Sequence, residues 1–277
     1  MSDAGADHAM FDVRDRIVVV TGALGQLGRQ FTRSLHAAGC RVAALDLQAT
    51  EGSRGRVFDD LADSPNLLLV RADVTRRDSL EAALSTIEAT WGTPYGLVNN
   101  AALDSPPDAA GLENGPFETY PVSSWDEVMA VNARGVFLCC QVFGGAMAAK
   151  NAGAIVNVCS IYGVLSPDQS LYEYRREQGE TFFKPVAYSA SKSSLLNLTR
   201  YLATYWARNG VRVNTVTFGG VFDGQDERFL ENYGRRVPLG RMAHEDEYNG
   251  AVIFLLSDAA SYMTGSNLTI DGGWTAW

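Results

Sequence analysis

Five consecutive residues, Tyr188-Ser189-Ala190-Ser191-Lys192, place a phenol and an ammonium four positions apart. On a helix that spacing puts both groups on one face, one turn from each other. The run that follows, through Leu195, Leu196, Leu198 and Leu202, has apolar residues at helical spacing, so the pair is expected to project from one rigid helix. A phenol ordinarily titrates near pH ~10, too high for proton transfer at neutral pH. A nearby cation favours the phenolate, so Lys192 is expected to draw Tyr188 toward a working pKa. Two or three units of displacement take roughly 3–4 kcal/mol, within reach of two close charges in a partly dry site. Taken alone, the pair also fits a surface helix with an amphipathic tyrosine and a solvated lysine.

The elements that would position such a pair can be read along the chain. Residues 16–20 form a β-branched apolar run, the mark of a buried strand. It ends in Thr21-Gly22-Ala23-Leu24-Gly25-Gln26-Leu27-Gly28, and a helical pattern over 29–38 closes at Gly39. A second strand, 42–45, ends at Asp46. Strand, glycine turn, helix, strand and acid make up the dinucleotide-binding βαβ sequence. Its glycines allow a tight turn, close backbone approach to a pyrophosphate and tight helix packing, and the positive helix end faces the phosphates. Asp46, 24 residues after Gly22, can accept from a ribose hydroxyl and would repel a 2′-phosphate, while Leu24 and Leu47 offer no cation. These residues point to NAD in preference to NADP.

The alternation continues with strands expected at 66–71, 95–99, 154–158, 211–216 and 267–270. Helices are expected at 78–91, about 124–150 and about 245–257, the second capped by Ser123 or Ser124 with Glu127 as its capping-box partner. The reading is a single α/β domain over 11–277 behind a polar tail, 1–10. Its sheet would be doubly wound and mostly parallel, with ligands at the carboxyl ends of the strands. Asp46, Asp73, Asn99-Asn100-Ala101 and Ser160 all fall at strand ends, whereas Asn132 falls inside the long helix among Val128, Val131 and Phe137. A buried asparagine there needs partners.

The 277 residues are 46% hydrophobic and 20% charged, with 23 Lys plus Arg against 32 Asp plus Glu, a net charge of −9. That balance argues against nucleic acid or an anionic membrane as the main partner. No uninterrupted apolar run reaches the ~20 residues that span a bilayer, and the polar N-terminus is unlike a signal peptide, so a cytoplasmic protein is expected. Cys40, Cys139, Cys140 and Cys159 are expected as buried small hydrophobes in a reducing compartment. His8, His36 and His244 lack metal-ligand spacing, and no metal is expected.

From about Arg16 to Gly273 the chain resembles the short-chain dehydrogenases/reductases. The resemblance rests on Thr21-Gly22…Gly28, Asp73-Val74, Asn99-Asn100-Ala101, Asn132, Ser160, Tyr188/Lys192 and Asp271-Gly272-Gly273. It implies a seven-stranded Rossmann sheet and a catalytic tetrad of Asn132, Ser160, Tyr188 and Lys192. In that tetrad Tyr188 is the general acid/base, Ser160 holds the substrate oxygen, Lys192 also binds the nicotinamide ribose, and Asn132 fixes a proton-relaying water. It implies a cofactor cradle of Gly22, Gly25, Gln26, Leu27, Gly28, Asp46, Leu47, Asp73, Val74, Asn100, Ala101, Gly219 and Val221, joined by Tyr188 and Lys192. It also implies a homotetramer or homodimer packed through the Asn132 and Tyr188 helices. Departures from the family pattern include Gln26 for a glycine, Phe218 before Gly219 in place of proline, and Asp223 where a threonine often meets the nicotinamide carboxamide. The glycine spacing is closer to the extended, sugar-nucleotide branch.

Ser160 and Tyr188 are 28 residues apart, a longer gap than the common pattern has. The inserted stretch, 166–184, reads either as a solvated surface helix or as a polar lid suited to a hydroxyl-rich or anionic substrate. Residues 222–238, also polar and aromatic, stand in the family's substrate-loop position. The expected activity is NAD-dependent interconversion of a secondary alcohol and a ketone on a polar, sugar-like small molecule. The stretches 200–207 and 238–243 also resemble relatives in bacterial surface-sugar or flagellin-glycan metabolism. Two other readings are a reductase of carrier-bound 3-oxoacyl groups, and a dinucleotide-sensing protein without catalysis.

Overall fold

The computed structural model describes residues 10–104 and 111–277. Residues 1–9 of the expected tail and residues 105–110 lie outside them. Met10 already belongs to the fold, since its carbonyl accepts from the Ala259 N–H at 2.8 Å. Seven strands form one sheet: β1 (Ile17–Thr21), β2 (Arg41–Asp46), β3 (Leu67–Arg71), β4 (Gly96–Asn99), β5 (Gly153–Ser160), β6 (Val211–Phe218) and β7 (Asn267–Ile270). Their order is β3-β2-β1-β4-β5-β6-β7, and every pairing is parallel. The order reverses between β1 and β4, which opens the ligand crevice at the strands' carboxyl ends.

Helices cover both faces, as the doubly wound reading requires. On one face α1 (Gln26–Ala37) and a C-terminal helix, Asn249–Leu256, pack through Phe31, Leu35, Val252 and Leu256. On the other lie α3 (Arg77–Thr90), α4 (Val122–Ala149) and the Tyr188 helix, Val186–Trp206, packed through Leu80, Ile87, Phe143 and Leu195. A short helix, α2 (Glu51–Val57), follows β2. The remaining helices in chain order are α5 (Glu173–Glu177), α6 (Val186–Trp206), α7 (Glu227–Arg236) and α8 (Asn249–Leu256).

The start of α4 corrects the capping expectation. The helix begins after Pro121, with no side-chain cap. The Ser124 hydroxyl lies inside it and donates to Glu113 Oε1 at 2.6 Å. Proline supplies a preset φ and has no N–H to satisfy, so no serine cap is needed. Two π turns, Ala130–Gly135 and Cys140–Gly144, interrupt α4. By length and composition α4 is apolar enough to cross a membrane; in the fold half of its most apolar window is buried.

One buried polar ladder fixes α6 against the sheet. Asn99 Nδ2 on β4 donates to Asn157 Oδ1 on β5 at 2.8 Å, and Asn157 Nδ2 donates to Thr199 Oγ1 on α6 at 2.8 Å. The Thr215 hydroxyl on β6 donates to the same Thr199 oxygen at 2.8 Å. All four residues are at most 2% exposed. Asn157→Ala leaves the Asn99 amide only its weak bond to Cys140 Sγ at 3.4 Å and removes the donor to Thr199, and an unpaired buried group costs about 1–3 kcal/mol. Urea unfolding should show a loss of that size; an unchanged midpoint would remove the ladder from any account of stability.

Candidate active site

α6 carries Tyr188 and Lys192, and β5 delivers Ser160 beside them. The approach depends on Gly163, just past β5: a Cβ there would lie 2.3 Å from Cys159 Sγ and 3.0 Å from the Lys192 carbonyl carbon. The Ser193 hydroxyl donates to the Gly163 carbonyl at 3.0 Å and closes the same contact. Lys192 is 4% exposed, and its Nζ donates to the Val158 carbonyl at 2.8 Å. That Nζ lies 5.7 Å from the centre of the Tyr188 ring. Ser160 Oγ accepts from the Tyr162 N–H at 3.2 Å, and its hydroxyl acts to lower the pKa of the Tyr188 phenol.

The electrostatics correct the simplest expectation for the pair. Burial pushes the Tyr188 phenol up from its ordinary value, the Asp104 carboxylate adds to the rise, and the Ser160 hydrogen bond opposes it. Burial also pulls Lys192 down to about 8. In the free chain, desolvation outweighs the attraction between phenolate and ammonium. Lys192 spends its hydrogen bond on the Val158 carbonyl, and Tyr188 keeps part of its surface open to the cavity.

Asn132 is buried at 1% exposure, as its apolar neighbours suggest, and lies in the first π turn. Its Oδ1 accepts from the Leu103 N–H at 2.7 Å, while Nδ2 donates to the Leu103 carbonyl at 2.8 Å and to Ser191 Oγ at 3.0 Å. The side chain therefore clamps the segment after β4 onto α6.

The glycine turn fits a pyrophosphate. Gly22 has φ +63°, and a Cβ there would stand 2.8 Å from the Ala101 Cα; one on Gly28 would stand 2.0 Å from the Gly22 carbonyl oxygen. Asn100 braces the turn, its Nδ2 donating to the Thr21 and Gly22 carbonyls at 3.0 and 3.1 Å. α1 begins at Gln26 with no side-chain cap, so its first N–H groups face the turn. Asp46 is oriented by the N–H groups of Leu24 and Gln48 at 3.0 and 2.9 Å, which leaves its remaining lone pairs for a ribose diol. Leu47 is exposed beside it. One cation missed by the sequence reading, Arg71, stands opposite Asp46 in the β2–β3 ladder. Asp73 accepts from the Thr75 N–H and hydroxyl through one oxygen, and Val74 packs on Gly135.

The departures have structural reasons. Gln26 Nε2 donates to the Phe222 carbonyl at 2.8 Å, tying the glycine turn to the start of the substrate loop. Phe218 is core, stacked on Tyr248 with ring centres 3.9 Å apart. Gly219 and Val221 line the cavity; Asp223 is exposed and does not.

The cavity, about 730 Å³, sits over Ser160, Tyr188 and Lys192. Its roof is the inserted stretch, which folds as a lid: a turn, Gln169–Tyr172, then α5, then an extended return. Arg176 holds it together by donating to the Phe182 and Gln169 carbonyls. Of the two readings of this stretch, the lid is the one formed. Aromatic rings from lid and substrate loop make the walls, with Tyr172 4.7 Å from Phe182 and 5.5 Å from Phe229, centre to centre. Among the described residues, no three His, Cys, Asp or Glu side chains gather to hold a metal ion.

Residues 22–275 match a family model described as enoyl-(acyl carrier protein) reductase. The chain is a short-chain dehydrogenase/reductase. It is 32% identical to a D-threitol dehydrogenase of Mycolicibacterium smegmatis, over 96% of this chain and 95% of that one. It is 33% identical to a galactitol 2-dehydrogenase (L-tagatose-forming) of Cereibacter sphaeroides, over 98% and 99%. Among solved structures, a gluconate 5-dehydrogenase of Burkholderia cenocepacia in complex with NADP and tartrate superposes with TM-score 0.83 at 26% identity, covering 97% and 98%. A short-chain dehydrogenase of Leptospira borgpetersenii with bound NAD+ superposes with TM-score 0.81 at 31% identity, covering 95% and 94%. A dehydrogenase of this family uses a pyridine nucleotide, and the cradle above fits one.

The lowered Lys192 pKa sets a pH dependence. A lysine titrating near 8 folded and near ~10.4 unfolded binds more protons in the unfolded state between those values. The contribution of Lys192 itself to stability therefore grows as pH rises through that window, while the four raised thiols contribute in the opposite direction. Lys192→Met, measured by urea unfolding from pH 7 to 10, should be more stable than the wild type at pH 7 by a margin that shrinks as pH rises. A constant margin would show that burial of Lys192 does not govern the difference.

Proposed function

We propose that this dehydrogenase oxidises a secondary hydroxyl of a neutral polyol or sugar alcohol to a ketone, or runs the reverse, with NAD in preference to NADP. The observation that carries the substrate class is the pairing of charges around the cavity. Arg175 pairs with Glu180 at 2.6 Å and Lys184 with Asp104 at 2.5 Å, which leaves hydroxyl, amide and ring surfaces to meet the substrate. A cavity whose lid charges are paired, with Asp226 and Lys192 as its other charged lining groups and aromatic rings in its walls, suits an uncharged, hydroxyl-bearing molecule. The similarity to threitol and galactitol dehydrogenases supports that class. A lid bearing Arg175, Glu180 and Lys184 is a poor cover for an acyl chain, which weighs against carrier-bound acyl substrates. The presence of all four tetrad residues weighs against a sensor without catalysis.

When bound, the nicotinamide accepts hydride from the carbinol carbon. Ser160 holds the substrate oxygen within reach of the phenol, and Tyr188 takes the hydroxyl proton as the ketone forms. Lys192 holds the phenolate's counter-charge and meets the nicotinamide ribose. Gly219 and Val221, which line the cavity, would hold the nicotinamide end of the cofactor. Asn132 holds the segment that follows β4 in place. The carboxylate of Asp46, fixed by two backbone N–H groups, favours a free 2′-hydroxyl. Exposed Val122, Phe137, Tyr201 and Tyr205 on α4 and α6 support a homodimer or homotetramer formed through these helices; a monomer mass by light scattering would refute that. Four free, buried cysteines support a reducing, cytoplasmic setting.

Tyr188→Phe should lower kcat/KM for NAD-linked oxidation of threitol or galactitol by about 10²–10⁴-fold while NADH fluorescence titration shows binding retained. Substantial residual turnover would overturn the acid/base assignment. Titration of the wild type should give a lower Kd for NAD than for NADP; the opposite order would assign Arg71, not Asp46, the decisive contact.

A further inference from the structure

Tyr188 lies between two ammonium groups, and only one of them comes from its own helix. Lys184, at the end of the lid, places its Nζ 5.5 Å from the centre of the Tyr188 ring and 6.0 Å from that of Tyr162. Its side chain is 16% exposed and bonded to Asp104 Oδ2 at 2.5 Å. Neither partner is free to wander. The Lys184 N–H donates to Gln169 Oε1 at 2.9 Å, and the preceding Phe183 N–H donates to the Asn114 carbonyl at 2.8 Å. Asp104 follows Leu103, whose N–H and carbonyl are both held by Asn132.

The other groups facing Tyr188 are Lys192 on its own helix and Cys159 and Ser160 at the end of β5. Tyr162, Tyr172 and Tyr233 belong to the aromatic cluster on which it packs. Asp104 is the carboxylate whose charge reaches both Tyr188 and Lys192, raising the proton affinity of each.

We propose that Lys184 and Asp104 act as an opposed pair that sets the proton affinity of Tyr188, making Lys184 a positioning residue supplied by the lid. The proposal rests on Tyr188 being the proton-transfer group. The ammonium stands 5.5 Å from the phenol ring with the carboxylate bonded to it, so each charge masks the other toward Tyr188. Removing one leaves the other unmasked, so the two single variants have effects of opposite sign. A pair that merely fastens the lid would weaken turnover in both variants without moving its pH dependence.

The test is the pH profile of kcat/KM for NAD-linked galactitol oxidation, whose acid limb reports the deprotonation of Tyr188. Asp104→Asn leaves the ammonium uncompensated and should move that limb down by about half a pH unit or more. Lys184→Gln leaves the carboxylate uncompensated and should move it up by about as much. The double variant should return it toward the wild-type position. A 13Cζ-tyrosine NMR titration of the same variants loaded with NAD+ reads the shift without turnover, the Tyr188 resonance being the one missing from Tyr188→Phe. Limbs that stay in place, or that move in the same direction in both single variants, would overturn the pair's role. If Tyr188→Phe is inactive and the limbs do not move, the pair alone is refuted; if Tyr188→Phe stays active, the acid/base reading falls with it.

Discussion

The two hydrogen bonds of the Asn157 side chain hold together what the site needs. One reaches Asn99 on β4 and the other reaches Thr199 on α6, in an interior without competing water. A helix packed on a sheet by apolar contacts alone can slide or rotate at small cost, because those contacts are non-directional. A buried amide ladder removes that freedom, since any slip leaves a polar group unpaired. Tyr188 and Lys192 therefore stand at a fixed height above Ser160, and the glycine at 163 sets how near they come.

From that fixed helix, connections run outward to both binding loops. Asn132 joins α4 to Leu103 and to Ser191 on α6. Gln26 joins the cofactor turn to the substrate loop. The lid is attached at its end by Lys184 and within itself by Arg176. The sheet supplies rigidity and the loops supply selectivity, the usual division of labour in an open parallel sheet.

Much of this was legible from residue types and spacing. The glycine turn, the acid after β2 and the Tyr-Lys pair each announce themselves through short-range geometry, because helix and strand periods decide which residues share a face. The seven strands were expected close to where they form. What stayed hidden depends on long-range pairing. Nothing local marks Asn157 or Thr199 as partners, 42 positions apart. Ser124 looked like a helix cap until Glu113 claimed its hydroxyl. The expected lowering of Tyr188 by Lys192 was a pairwise argument, whereas burial, a property of the whole surroundings, raises the phenol in the free chain. The pairing of Asp104 with Lys184, 80 positions apart, gave no local signal either.

The four thiols show another side of the same packing. Burial pushes Cys40 and Cys140 up to about 12, and Cys139 and Cys159 are raised as well. Thiolate, the reactive form, is therefore scarce at neutral pH, and access is closed. Cys40 lies just before β2, Cys139 and Cys140 in the middle of α4, and Cys159 in β5 with its thiol donating to the Lys192 carbonyl. Cys40, Cys139 and Cys140 can each be alkylated only after their own part of the molecule opens, whereas Cys159 borders the cavity. The chain thus carries built-in clocks for local unfolding, and the reaction rate of each of those three thiols measures how often its neighbourhood comes apart.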